Sequence, residues 1–559
     1  MKNRIVSLIL FLCTVFSLLA LSACGPKRPA TNPATSDTAT AATTDKWEVL
    51  APKVKQIDEA DRKLTIELST KGTDEKRSKN GPYVMGPDAL DSSIPEVQRM
   101  VYERNEKAKE RLGVTVEYIS NWDLGYGKQT AKINDVVAAN AADAPDLFIN
   151  MIYDMNMSLI NGCFKDVWSL PSSFFDFEAP GWMDSWMKNM SFTGDRAYIL
   201  ASDYFMDVFC SMSLLPFNMT MMDANASKLT EAILGTGETL KTGEKLSNYF
   251  FDFVEDGNWT WDVLGELCEA IWIDRGTIGQ DDIYDTLGII ADRFGGINAA
   301  SFLYSCGETL VESYEIKDPT NPYNGKQWLK YPDNPTSLNL IFDKVKAVFE
   351  GNGSLATSYT FSGNAPEAPG SAYHHSKFAK GELLFAGVCL LGTLEDDTFQ
   401  QMTDVYSVVP CPKADASKEY NTIIVNQADA GAINVHTSRN KARALSAFLQ
   451  YCTEHSTDIR EELLGDVMKY EVTTYNLGTD RMLDIIYEGI LYGRDKTVDD
   501  LICMGDDLRS ERWHSLLKDD DFEGGSSHFT TSYQNLRDAK QARLDEYMAT
   551  WYTLPKVEN

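Results

Sequence analysis

Residues 64–149 of this 559-residue chain alternate between two hydrophobic periods, and no other feature restricts the fold as much. Leu64-Thr65-Ile66-Glu67-Leu68-Ser69 alternates apolar and polar, as a half-buried strand does. Residues 94–112 (IPEVQRMVYERNEKAKERL) follow with helical spacing and stop at Gly113. Val114-Thr115-Val116-Glu117-Tyr118-Ile119 is a second alternating strand, 130–142 an Ala-rich helix, and Asp146-Leu147-Phe148-Ile149 a third, apolar strand. Strand, helix, strand, helix, strand predicts an α/β fold with a parallel sheet and crossover helices. Ligands on such sheets sit beyond the C-terminal ends of the strands. Attention therefore falls on Thr70 and Lys71, Asn121 and Trp122, and residues 150–154.

The same pattern recurs downstream. Strands are predicted at 197–200, 287–291, 405–409, 423–425 and 432–435, and helices at 260–273, 440–454, 480–492 and 536–551. Two α/β lobes decorated with helices are the simplest architecture that fits. No short-period repeat is visible, which disfavours a solenoid.

Apolar residues at 43% and charged residues at 24% are ordinary globular values. Lys+Arg 52 against Asp+Glu 82 gives a net charge of −30, which argues against a nucleic-acid or anionic membrane partner. Aromatics at 11% suit neutral or cationic polar ligands better than phosphate-rich ones.

Residues 1–23 read as a secretory signal: a basic start with Lys2 and Arg4, then an almost wholly apolar run to Leu21. That run is short for a membrane span. It ends in Leu21-Ser22-Ala23-Cys24, which resembles the lipobox of bacterial lipoproteins and implies that Cys24 becomes a lipidated N-terminus. Residues 24–46 would then hold the lipidated Cys and a Pro/Ala/Thr/Ser tether spanning on the order of 25 Å. The expected place is the extracellular face of the cell membrane, or its periplasmic side where the cell has an outer membrane. The eight cysteines beyond Cys24 are scattered and form no CxxC pair, so they read as buried free thiols.

Several motifs then occur in an order that resembles the family-1, carbohydrate-type extracellular solute-binding proteins of ABC importers. They are Ala144-Pro145-Asp146-Leu147, Gly162 with Asp166-Val167, Gly194–Leu200, Pro216-Phe217-Asn218, Trp259-Thr260-Trp261-Asp262, Phe378-Ala379-Lys380-Gly381 and Val409-Pro410-Cys411-Pro412-Lys413. Arg481-Met482-Leu483-Asp484-Ile485-Ile486 resembles a helix of the longer, low-G+C Gram-positive members. The resemblance implies a two-lobe, periplasmic-binding-protein-like (type II) fold with hinge crossovers and a helical C-terminal region. Lobe 1 would take 61–205 and 429–470, and lobe 2 would take 206–428 and 471–559. It also implies a monomer that captures a mono- or oligosaccharide and hands it to the transmembrane subunits of an ABC permease, without cofactor or metal. Two departures bear on the sugar site. The stretch after Phe378–Gly381, Leu383–Cys389, lacks the Trp common in relatives, and Ala201-Ser202-Asp203 stands where a Pro is usual.

A sugar site needs polar groups for the ring edge and flat aromatics for its faces. Candidates follow the strand ends: Trp122 and Asp123; Asn150, Tyr153 and Asp154; Asp203 and Tyr204; and Asp292, Arg293 and Phe294 on the opposite lobe. Tyr373, His374 and Trp513 are further candidates without a strand to place them. Each has a structural alternative. Trp122 would cover a sheet edge, Asp203 would cap a turn, and Arg293 would pair with a surface acid. Trp259 and Trp261 read as packing around a helix start, His374-His375 as a solvent-exposed pair, and Asp519–Asp521 with Glu523 as acidic surface. No Gly-x-Ser-x-Gly, Walker, HExxH or Rossmann signature occurs. The rival readings are a secreted carbohydrate-active enzyme with paired carboxylates and a ligand sensor or scaffold not coupled to transport.

Overall fold

The computed structural model describes residues 45–69, 81–121, 128–276, 285–292, 296–306, 311–357, 373–467, 477–492 and 519–554. The chain divides into two units, 1–50 and 51–559. In the first, Asp45 Oδ1 accepts from the Trp47 N–H at 2.9 Å at the opening of helix α1 (Lys46–Lys55), whose range crosses the boundary between the units. Everything that follows lies in the second unit.

The alternation at 64–149 folds as a parallel sheet. Strands β1 (Lys63–Ser69), β2 (Thr115–Asn121) and β3 (Leu147–Met151) are joined by helices α2 (Glu96–Leu112) and α3 (Gln129–Ala139). β1 pairs in parallel with β2 from Lys63↔Thr115 to Ser69↔Asn121, and with β3 from Ile66↔Leu147. α2 buries Val97, Val101, Arg104, Ala108 and Leu112, a stripe of three- and four-residue steps. Gly113 ends it at φ 66°, where its N–H reaches the Lys109 carbonyl at 2.8 Å and the chain turns into β2. Helix α4 (Ile152–Ile160) starts directly where β3 stops.

A second sheet is built from β4 (Ser213–Asn218), β5 (Leu287–Asp292), β8 (Ser354–Thr357), β9 (Leu383–Phe385), β10 (Cys389–Leu390) and β11 (Tyr406–Val409). Its order is β10-β4-β9-β5-β8, with β11 also on β4; β5 runs parallel to β8 and β9. β6 (Glu312–Glu315) and β7 (Gln327–Lys330) form a separate hairpin. Helix α5 (Trp261–Ile271) is capped by Thr260 and lies so close to β5 that a Cβ on Gly288 would sit 2.4 Å from Cys268. Trp259 and Trp261 are fully buried as expected, Trp259 stacked on Phe385 at 5.4 Å.

The chain crosses between the sheets along 205–213 and returns along 423–429 to β12 (Asp429–Ile433). β12 adds antiparallel to β3, giving the order β12-β3-β1-β2. The two crossings lie side by side. The Ser213 N–H donates to the Ile423 carbonyl at 2.9 Å, and the Val425 N–H to that of Ser211 at 3.2 Å. Gly431 is required here, because a Cβ would meet the Phe205 ring at 2.5 Å.

Among the described residues, the C-terminal region is helical, as expected. Helices α8 (Arg439–Glu454) and α9 (Thr457–Val467) pack against α2, and α10 (Leu477–Glu488) against β11. The long α11 (Asp519–Thr553) packs on α6 (Thr336–Glu350), on β7 and on α4.

Three predicted elements and one predicted exposure are corrected. Residues 197–200 and 423–425 are not strands; each makes a single bridge, Leu200 to Gly431 and Ile424 to Met212. The strand expected at 432–435 begins earlier, at Asp429, because Asp207 Oδ2 accepts the Asp429 N–H at 2.7 Å inside the protein. His374 is buried and His375 half-buried rather than solvent-exposed, on α7 (Tyr373–Ala379), with Cys389 Sγ 3.0 Å from His375 Nε2. Seven of the eight scattered cysteines are buried free thiols as expected; Cys503 lies outside the described residues.

Candidate functional site

The C-terminal ends of β1 and β3 are lined with buried polar groups. On β1, Glu67 is 4% exposed and pairs through Oε2 with Lys132 Nζ of α3 at 2.9 Å. Asn150, near the end of β3, turns its Oδ1 back to the Met151 N–H at 2.7 Å. Two residues into α4, Asp154 Oδ1 accepts from the Thr130 N–H at 3.2 Å and its hydroxyl at 3.1 Å. That carboxylate ties the start of α3 to the start of α4 and holds both helix openings at the strand ends. The returning crossover closes in from the side: the Tyr153 N–H donates to the Asn426 carbonyl at 2.7 Å and the Ile152 N–H to that of Ala428 at 2.9 Å.

Asn150, Tyr153 and Asp154 are thus brought together where the strand pattern places a ligand. The crossover carbonyls beside them left no signal in the sequence, since backbone acceptors have no residue signature. Asp203 and Tyr204 stand apart and are occupied. Asp203 is fully buried, and both its carboxylate oxygens accept from Arg460 Nη1 of α9 at 2.9 Å, with Thr457 Oγ1 at 3.3 Å. Burial pushes its carboxyl up to about 6 against the opposing pull of Arg460. Tyr204 lies in the core. Its hydroxyl is 3.2 Å from that of Tyr118 on β2, its ring meets Phe205 and Phe448 edge-on, and the Arg104 guanidinium sits 4.8 Å from its centre. Burial raises both tyrosines well above the usual phenol range.

Trp122, Asp123, Arg293, Phe294, Trp513 and Cys24 lie outside the described residues. Asp292 ends β5 and Tyr373 opens α7, their side chains likewise outside the description.

No family model and no curated relative matches the sequence. Solved structures do resemble the fold. One is an ABC substrate-binding protein from Listeria monocytogenes in complex with cycloalternan, 11% identical, covering 87% of this chain and 99% of that one at a TM-score of 0.45. A maltose/maltodextrin-binding domain from Bdellovibrio bacteriovorus bound to maltotriose is 11% identical over 87% and 100%, TM-score 0.43. A family 1 extracellular solute-binding protein from Bifidobacterium longum subsp. infantis is 14% identical over 87% and 99%, TM-score 0.44.

Chemically, the described strand-end groups are hydrogen-bond donors and acceptors, of which Glu67 Oε2 is held by Lys132 and Asp154 Oδ1 by Thr130. Among the described residues no group of three His, Cys, Asp or Glu side chains could hold a metal ion, and no helix is long and apolar enough to cross a membrane.

Proposed function

We propose that this chain is a lipid-anchored extracellular solute-binding protein that captures a mono- or oligosaccharide between two lobes and delivers it to an ABC permease. The observation that carries the reading is the pair of adjacent crossovers, 205–213 and 423–429, joining two separate sheets. Each sheet is the core of one lobe, lobe 1 with α8 and α9 and lobe 2 with α10. Solute binds at the strand ends, with Asn150, Tyr153 and Asp154 contributed by lobe 1 and Asp292, Arg293, Phe294 and Tyr373 by lobe 2. Trp122 and Asp123 complete the lobe 1 side. Asp203 and Tyr204 are assigned to the frame, since their polar atoms are engaged by Arg460 and Tyr118. The order of sequence motifs behind a lipobox supports the transport role, with Cys24 as the lipidated residue.

The test is a thermal-unfolding screen of the purified chain against oligosaccharides and peptides. A ligand that binds only the native state raises the apparent midpoint with its concentration, by about 2.7 kcal/mol of stability at a hundredfold excess over Kd. A saturable rise with one class of glycan, recovered chemically intact, is the expected result. Glycan recovered cleaved would establish the enzyme reading, and a rise with peptides alone would reassign the cargo.

A further inference from the structure

At the far end of sheet one lies a hollow of quite different character. β12 runs antiparallel to β3, so its last residue, Ile433, sits opposite Leu147, the first residue of β3. The residues after β12 are therefore at the N-terminal end of the parallel strands, away from the strand ends assigned to solute. There Lys165, Leu170, Pro171, Ser173, Arg439, Ala442 and Arg443 enclose about 470 Å³ of space open to solvent. Three of the seven are cationic and none is acidic, in a chain of net charge −30.

The cations are positioned by the fold but not neutralised by it. Lys165 is fixed by its own N–H to the Ile433 carbonyl at 2.9 Å and by Nζ to the Val435 carbonyl at 2.7 Å, which leaves further ammonium hydrogens. Arg443 spends its Nε on the Ser172 carbonyl at 3.1 Å, leaving both terminal nitrogens. Arg439 lies one turn before Arg443 on α8, on the same face. Among the described residues, none of the three has a carboxylate within 4.0 Å. The nearby acids are engaged elsewhere: Asp61 accepts from Asn440 Nδ2 at 3.0 Å and Asp146 from Lys441 Nζ at 2.9 Å. Half-burial also lowers the Lys165 ammonium from its ordinary range, a penalty that an arriving anion would relieve.

The geometry points to a second binding site, independent of the solute reading, in which Lys165, Arg439 and Arg443 clamp an oxyanion of the phosphate class. Two arginines and a lysine lining one concavity match an anion with several acceptor oxygens, and arginine suits bidentate contact. Such a group reaches an exposed hollow either as free phosphate or as the phosphodiester of a lipid headgroup.

The experiment titrates the full chain with inorganic phosphate by calorimetry and, separately, sediments it with phosphatidylcholine vesicles with and without phosphatidylglycerol. The variants are Arg439→Gln, which removes an exposed side chain with no hydrogen bond or ion pair among the described residues, and Arg439→Gln with Arg443→Gln. Saturable phosphate binding that weakens about tenfold in the single variant and further in the double, and that falls with salt, is expected for a free oxyanion. Binding confined to the anionic vesicles and lost in the same variants assigns the headgroup source. Glycan midpoint shifts should be unchanged in both variants, which separates this site from the solute site. No binding to either probe, or equal binding by wild type and double variant, would overturn the proposal.

Discussion

Asp203 illustrates how a single buried carboxylate couples this fold to pH. Its native value, about 6, stands above the ordinary 3.8, so the folded chain holds that proton more tightly than the unfolded chain. Its contribution is full below 3.8 and is lost as pH rises through about 6. His374 acts with the opposite sign: burial lowers its imidazole from 6.5 to about 4, so its contribution is present above 6.5 and is lost as pH falls through about 4. The two windows overlap, and the summed stability curve isolates neither. The difference between wild type and Asp203→Asn does. The asparagine cannot ionise, so urea unfolding across this range should show the variant losing less stability than wild type as pH rises. A difference that stays flat with pH would mean that the Arg460 pair cancels the effect of burial and leaves the Asp203 proton affinity unshifted. Arg460 lies 257 positions away, and that distance explains why Asp203 reads from sequence as either a ligand or a cap.

At the scale of elements, what was legible was what is local. The strands and helices of 64–149 emerged within a few residues of their predicted bounds, because a two-residue or 3.6-residue period is written in adjacent positions. β12 was displaced by three residues since its first strand position is a buried Asp and its third a Gly, residues that do not look like a strand until Asp207 and Phe205 are beside them. Residues 197–200 have the composition of a strand yet meet β12 at one bridge, Leu200 to Gly431, rather than along a ladder. They are held instead by the end of α11. Trp551 stacks on Phe192 at 4.8 Å, meets Tyr198 edge-on at 5.3 Å and donates from Nε1 to Thr193 Oγ1 at 2.8 Å. Arg196 Nη1 in turn donates to the Trp551 and Leu554 carbonyls, each at 3.0 Å. Because α11 also packs on α6 and β7, this anchor ties the segment before the first crossover to the second sheet's helices. Trp551→Ala should therefore cost about 3–5 kcal/mol, read as a lowered urea midpoint, since a fully buried indole and its hydrogen bond are lost together. A cost under about 1 kcal/mol, the level of an ordinary surface change, would show that the end of α11 is not an anchor.

For the whole molecule, the site residues that the sequence singled out divide by what the fold had already used them for. Asn150, Tyr153 and Asp154 stay at the strand ends, whereas Tyr204 is consumed by Tyr118, a partner 86 positions away on β2. The proposed motion follows from the crossovers. Residues 211–213 and 423–425 are hydrogen-bonded to each other, so a change of backbone angle there can carry both connections together without breaking either sheet. Solute shifts such an open–closed equilibrium only by the margin with which it binds the closed form better. A move from about 1:99 to 99:1 needs roughly 5.5 kcal/mol of that margin. Groups on both lobes must therefore touch the solute at once. Small-angle scattering should then show a smaller radius of gyration at saturating glycan than in its absence, with the change tracking the binding curve. If a glycan raises the unfolding midpoint and scattering stays unchanged at saturation, one lobe alone does the binding. The crossovers would then be rigid connectors rather than a hinge, and the capture step would leave the permease no closed form to recognise.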